Sequence, residues 1–349
     1  MRANVISGRF HDELGQLLDH GVGDEIVDLL EHVGGQARDE SRHVPRLAAL
    51  LTSGQENGVG PAFTPLPARH GYGLAMADDD LRDFERDFFT HDDVSRTIYR
   101  KGSGPAVIVM AEIPGITPHV ADFARKVADI GCTAVLPHLF GTPGRDIDPA
   151  TTSRLSTTLY GLSSIVPACI SKEFTVFATG ASSPVVTWLR ALAKHEHERC
   201  GGPGVGAVGM CFTGGFALAM AADDRMLAPV LSQPSLPVPI GRKRAHNIDI
   251  SPDDLRIVKD RCAKDGLEVL GLRFKSDKLV GGERFAFLKE QLGDAFVAVE
   301  LEDADANPAA AMPPHSVLTE HLIDEPGQPT RAALDQVLEL FRSRLLTDA

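Results

Sequence analysis

No apolar run in this 349-residue chain approaches the roughly 20 residues needed to span a bilayer. Met1-Arg2-Ala3-Asn4 is not followed by the apolar core of a signal peptide. These two absences point to a cytoplasmic protein with no membrane partner. A cationic excess is missing as well. The net charge of −13 argues against nucleic acid, because neutralising phosphates takes clustered Lys and Arg that release counterions. An acidic chain is equally ill-matched to an anionic membrane surface. The cysteines, Cys132, Cys169, Cys200, Cys211 and Cys262, are scattered and odd in number, with no C-x-x-C pair. That spacing suggests neither a disulfide framework nor a zinc site, and reduced thiols fit best. A hydrophobic content of 43% is ample for a real core, and charged residues at 24% are ordinary for a soluble protein.

The chain divides by pattern. Up to about Leu51 it reads as helical: Asp24 can cap a helix whose Ile26, Val27, Leu30 and Val33 share a face, stopped by Gly34-Gly35. A piece around Leu14, Leu17 and Leu18 could pair with it. From about 53 to 75, Gly58, Gly60, Pro61, Pro65, Pro67, Gly71 and Gly73 mark a linker. Residues 1–75 thus form a short helical extension plus linker, either a small regulatory or dimerising element or a weakly ordered appendage. Residues 76–349 form the main domain. There strand and helix alternate. Arg96–Arg100 reads as an edge strand, and Pro105–Met110 as a buried parallel strand with a continuous apolar run. A helix face of Val120, Phe123, Ala124 and Val127 follows, then a strand over Cys132–Leu136. Pro184 opens a helix carrying Val185, Trp188, Leu189 and Leu192. Further strands lie at Val205–Val208, Met226–Leu231, Leu267–Phe274 and Ala295–Leu301, and an amphipathic helix over Arg331–Leu346 ends the pattern. The fold class is α/β, a doubly wound, mostly parallel sheet flanked by helices. Sites in such sheets lie beyond the carboxyl ends of the strands.

One such end carries Gly209-Met210-Cys211-Phe212-Thr213-Gly214-Gly215, between the strand Val205–Val208 and a small-residue helix pattern, Phe216–Ala222. A strand, a very tight turn and a helix with a cysteine at the apex resemble the nucleophile elbow of an α/β-hydrolase that uses Cys in place of Ser. A turn of this kind lifts the nucleophile above the sheet edge and leaves backbone N–H groups to hold an oxyanion. The helix start beneath the sulfur favours the thiolate. The elbow wants a small residue two places after the nucleophile, and here that residue is Thr213, whose β-branch adds crowding. A buried structural cysteine is the alternative reading of Cys211.

A Cys nucleophile needs a base within reach, and the base needs a group to orient it. Asp277 follows the strand Leu267–Phe274, and His315 follows the strand Ala295–Leu301 after a long loop, Pro313-Pro314-His315-Ser316. The order nucleophile, acid, histidine is the one this fold uses. Taken alone, Asp277 could be a turn residue and His315 an exposed loop histidine. His321 is the nearest rival for the base. His195 and His197 stand two apart in a charged helix end, so they face different ways. His138 follows a strand and could line the pocket. Glu112, in Met110-Ala111-Glu112-Ile113-Pro114-Gly115, ends a buried strand beside the elbow, where a charge is costly without a partner. It is either a proton acceptor for Cys211 or a salt-bridge residue. The N–H groups of Ile113 and Phe212 are the natural oxyanion-hole donors.

With the elbow V-G-M-C-F-T-G-G, the segments A-E-I-P-G-I and A-V-L-P-H-L-F-G, and the Asp and His in order, the chain from about Leu81 to Leu345 resembles the dienelactone hydrolase family. The resemblance implies an α/β-hydrolase fold and a carboxylic-ester or lactone hydrolase, carboxymethylenebutenolidase-like. Cys211 is then the nucleophile, His315 the base, Asp277 its orienting acid and Glu112 the group that modulates the thiol. It implies a thioester acyl-enzyme, a small-molecule ester or lactone as partner, and neither metal nor organic cofactor. The chain departs from the pattern at Thr213, a glycine in the family, and at Thr319, where well-studied members carry an arginine that grips the substrate carboxylate. His138, Thr213 and Thr319 are therefore pocket candidates, and Arg273 and Arg145 are candidate replacements for the cation. Other readings are a redox-responsive or regulatory thiol protein without turnover, and a non-catalytic scaffold binding a ligand or partner. Monomer and homodimer both remain open.

Overall fold

The central strands of the domain are buried at every position and apolar at nearly all, because helices cover both faces of the sheet. They are β3, Ala106–Met110, with β4, Thr133–Pro137, and β5, Val205–Met210. The computed structural model describes residues 78–146, 173–174, 179–310 and 312–346. The expected N-terminal helices, the linker and Cys169 lie outside the described residues. Two strands precede β3: β1, Glu85–His91, and β2, Val94–Gly102. The remaining strands are β6, Met226–Ser232, β7, Val269–Phe274, and β8, Phe296–Leu301. They form an eight-stranded sheet in the order β1-β2-β4-β3-β5-β6-β7-β8. The β1–β2 and β2–β4 pairs are antiparallel and the rest parallel. This is the α/β-hydrolase sheet.

The Arg96–Arg100 strand is not the edge. It lies within β2, and β1 covers it. β1 has no apolar alternation to announce it, since its side chains are exposed or half-buried. Buried Arg100 on β2 makes a bidentate contact with fully buried Glu196 and a third bond to Asp87 of β1 (2.7 Å), so one guanidinium joins the hairpin to a helix.

Four of the described helices form where the sequence pattern placed them. α1, Pro118–Asp129, starts at Thr117, whose hydroxyl accepts the Val120 N–H (3.3 Å), with Pro118 at the first position. It buries Val120, Phe123, Ala124 and Val127. α2, Val185–Cys200, buries Val185, Trp188, Leu189 and Leu192 and stops at Gly201. α3, Gly214–Met220, is buried throughout. α4, Pro252–Asp265, and α5, Gly282–Leu292, were not legible as amphipathic stripes; α4 buries only Val258 and Arg261. α6, Pro329–Leu345, lays Ala333, Leu334, Val337, Leu338, Phe341 and Leu345 on the sheet. Each large side chain buried there stabilises the domain by roughly 1.5–3 kcal/mol. Among the described residues no helix is long and apolar enough to cross a membrane.

From β3 the chain steps outward to β4 on one side and returns to β5 on the other. The gap between the carboxyl ends of β3 and β5 is the switch point where such sheets bind ligands. Cys211 follows β5 there, and Glu112 follows β3.

Candidate active site

The elbow is tight because its backbone leaves no room for side chains on either flank. A Cβ at Gly209 would fall 2.1 Å from the Thr213 carbonyl oxygen, and one at Gly214 2.4 Å from Pro234 Cα. Cys211 sits between them at φ +52°, a left-handed conformation that costs a non-glycine residue about 1 kcal/mol or more. A 3-10 turn, Cys211–Thr213, then runs into α3. Phe212 anchors it, packing edge-on against Phe140 at 5.4 Å and Phe174 at 5.3 Å. Met210 stands opposite Ser232 in the β5–β6 ladder, so Cys211 and Gln233 leave the sheet side by side. Gln233 is left-handed too, at φ +35°.

Thr213 is not a pocket residue. It is fully buried beneath the turn, where its hydroxyl accepts the Met210 N–H (2.9 Å) and donates toward the Met110 carbonyl (2.9 Å). The β-branch that looked like crowding thus ties the end of β3 to the end of β5. Thr213→Val keeps the shape and removes both bonds, so stability should fall by roughly 1–3 kcal/mol, read from the urea midpoint. An unchanged midpoint would show that these bonds contribute nothing net.

Asp277 occupies the turn after β7 and does two jobs with two oxygens. Oδ1 accepts the N–H groups of Leu279 (2.9 Å) and Val280 (3.2 Å), and Oδ2 accepts the Nδ1–H of His315 at 2.6 Å. Asp277 is thus a turn residue that also bonds the His315 ring. His315 is mostly buried, and the Cys211 side chain acts on its ring as a charge and as a hydrogen-bond partner. Burial pulls its pKa down, but a thiolate at Cys211 and the Asp277 carboxylate outweigh that and raise it well above the usual histidine value. The Cys211 sulfur lies 3.5 Å from the Ser235 hydroxyl, and the Ser235 N–H donates to the Cys211 carbonyl (2.9 Å).

Glu112 is buried but not on the thiol. Its carboxylate accepts from Ser316 Oγ (2.6 Å), from the Thr319 hydroxyl, and from Gln233 Nε2 (3.3 Å). Among the described residues no hydrogen bond joins it to Cys211. Neither the proton acceptor nor the salt-bridge residue of the sequence reading describes it: three neutral donors compensate its charge. Thr319 is correspondingly buried and turned toward Glu112 rather than toward a pocket.

Residues 96–237 match the family model described as the dienelactone hydrolase family. No curated protein matches the chain. Among solved structures, a Klebsiella pneumoniae subsp. pneumoniae MGH 78578 protein described as a dienelactone hydrolase is 19% identical. That match covers 74% of this chain and 97% of the other, with a TM-score of 0.48. The dienelactone hydrolase of Anabaena variabilis ATCC 29413 is 16% identical, over 76% and 100%, with a TM-score of 0.47. Est1E from Butyrivibrio proteoclasticus is 14% identical, over 73% and 98%, at 0.44.

The remaining candidate residues of the chain distribute as follows. Ile113 and Phe212 stand past the ends of β3 and β5, which pair with Met110 opposite Gly209. His138 is half-buried after β4 and donates Nε2–H to the Gly141 carbonyl (2.8 Å), closing its own loop. Arg273 is buried against Glu300 (2.8 Å) and the Val280 carbonyl (3.1 Å), so it is not a free cation for substrate. Arg145 lies in the loop after β4, its N–H on the Thr142 carbonyl (3.3 Å).

Two residues escaped the sequence reading. Ser235 could have been found from its place just past the end of β6. Arg284, fully buried on α5, had no such signal. Its guanidinium donates to the carbonyls of Pro234 (2.9 Å), Leu236 (2.6 Å) and Pro237 (2.6 Å), clamping the loop that holds Ser235. Burial pushes its pKa down to about 10, with Asp277 and Asp249 opposing, so it stays charged at neutral pH.

Proposed function

We propose that this protein hydrolyses a carboxylic ester or lactone through a Cys211–His315–Asp277 triad and a thioester acyl-enzyme, carboxymethylenebutenolidase-like in its chemistry. With the thiol proton on His315 Nε2, Cys211 attacks as the thiolate. The thiolate attacks the carbonyl carbon, and the oxygen that takes up the electron pair is received by the N–H groups of Ile113 and Phe212. Each such donor is worth about 10²–10³-fold in rate. As the C–O bond breaks, His315 Nε2 gives its proton to the departing alkoxide or enolate. Neutral His315 then takes a proton from water, the hydroxide attacks the thioester, and the acid leaves as the sulfur recovers its charge. Asp277 holds Nδ1–H throughout and stabilises the imidazolium.

The observation that carries this reading is the state of His315. One ring nitrogen is fixed by the Asp277 carboxylate at 2.6 Å, and the Cys211 side chain acts on the same ring both as a charge and as a hydrogen-bond partner. Thr319 stands where the family's cation would be and gives its hydroxyl to Glu112. We therefore read the substrate as an ester or lactone not gripped by charge at that position.

The test is a panel of activated esters and unsaturated lactones, quenched in acid at early times and followed by mass spectrometry. An acyl adduct on the peptide carrying Cys211 is expected. Turnover without that adduct, or no turnover across the panel, would refute the mechanism.

A further inference from the structure

The loop that carries His315 has little backbone bonding of its own, since Pro313 and Pro314 have no N–H to donate. A second histidine supplies what is missing. His321 is 2% exposed, and both its ring nitrogens bond to backbone on either side of His315. The Ser316 N–H donates to Nδ1 at 3.2 Å, and Nε2–H donates to the Met312 carbonyl at 3.0 Å. Its own N–H returns to the Ser316 carbonyl at 3.0 Å, and its ring meets Phe274 of β7 edge-on at 5.8 Å. The pattern admits one tautomer: Nδ1 must accept, so the single proton sits on Nε2.

We infer that His321 is the positioning residue of the site, a neutral imidazole that straps Met312 to Ser316 and so sets the reach of His315 toward Cys211. This rests on the reading of His315 as the base. The strap also continues into the Glu112 network, because the residue it holds, Ser316, gives its hydroxyl to Glu112. A neutral ring is what the place requires. Burial, together with the charge of His315, holds the His321 pKa below the usual histidine value. A proton on Nδ1 would face the Ser316 N–H donor to donor and open the strap. His321 touches neither substrate nor sulfur, so its effect passes through the geometry of His315. There a shift of about 1 Å can cost about 10²-fold in rate.

The experiment compares His321→Phe, which keeps the ring on Phe274 and loses both bonds, with His321→Asn, whose side-chain oxygen can restore an acceptor for the Ser316 N–H. Three quantities are read: kcat and KM on an activated ester, the melting temperature, and the rate at which iodoacetamide alkylates Cys211 at pH 7, with His315→Ala as control. His321→Phe should lower kcat about 30–100-fold with KM within about twofold. It should slow alkylation as His315→Ala does, while His321→Asn recovers about tenfold of the loss. Per-folded-molecule kcat and alkylation rates equal to wild type in both variants would overturn the inference and leave His321 a packing residue. Should His315→Ala itself leave alkylation unchanged, the triad reading fails instead, and the two failures are told apart.

Discussion

Cys211→Ala should abolish ester hydrolysis, with kcat falling by about 10⁵-fold or more, the scale of losing the nucleophile in a triad hydrolase. The fold should hardly notice. Alanine carries the same Cβ as cysteine, so the strain at φ +52° is unchanged, and the sulfur's contact with the Ser235 hydroxyl, at 3.5 Å, is a weak one. The Thr213, Gly209 and Gly214 contacts that shape the turn involve no atom beyond that Cβ. A melting temperature within a few degrees of wild type is therefore expected alongside the lost activity. Cys211→Ser is the sharper probe. A hydroxyl is far too weak an acid to pair with the His315 imidazolium as thiolate does, so most of the rate should be lost with near-identical shape. Turnover in Cys211→Ala equal to that of wild type would remove the sulfur from the chemistry altogether.

The parallel strands could be read because burial on both faces makes them continuously apolar, as in Ala106–Met110 and Val205–Met210. β1 could not, because a polar strand at the open edge has no period to detect. The same holds for α4, whose stripe is reduced to Val258 and Arg261. Within the site, Cys211 was legible from small residues crowding a turn, and Asp277 and His315 from chain order after successive strands. The structure brings Asp277 onto His315 and makes Cys211 one of the charges acting on that ring. Glu112 was legible only as a buried charge in need of partners. Those partners, Gln233, Ser316 and Thr319, come from two distant loops, and nothing local in the sequence announces that meeting. Thr213 was misjudged for a similar reason: its β-branch was visible, but the Met110 carbonyl that takes its hydroxyl lies on another strand. Arg284 and His321 act by bonding to backbone carbonyls and amides, which carry no sequence signature at all.

Asp277→Asn should cost about 10⁴-fold in kcat while leaving the turn intact, and the reason lies in how its two oxygens are used. The N–H groups of Leu279 and Val280 both require an acceptor at Oδ1, so the amide cannot rotate freely. Its NH₂ is forced to the Oδ2 position, 2.6 Å from His315 Nδ1 in the native protein. Two donors cannot share that contact, so Nδ1 must lose its hydrogen, and the remaining proton moves to Nε2, aimed at the sulfur. That imidazole is neutral and in the wrong tautomer, able neither to accept the proton of a thiol nor to balance a thiolate. The loss should appear in kcat with little change in KM. A pH signature separates this from simple misfolding. In the native protein the His315 pKa is raised above its unfolded value near 6.5. Its contribution to stability is therefore fully present below about pH 6.5 and disappears as the pH climbs through the raised value. Removing the carboxylate removes part of that contribution, so the gap in melting temperature between wild type and Asp277→Asn should be widest near pH 6 and narrow toward alkaline pH. A gap independent of pH, or a kcat within about tenfold of wild type, would mean that the carboxylate at 2.6 Å orients the ring without sharing its charge.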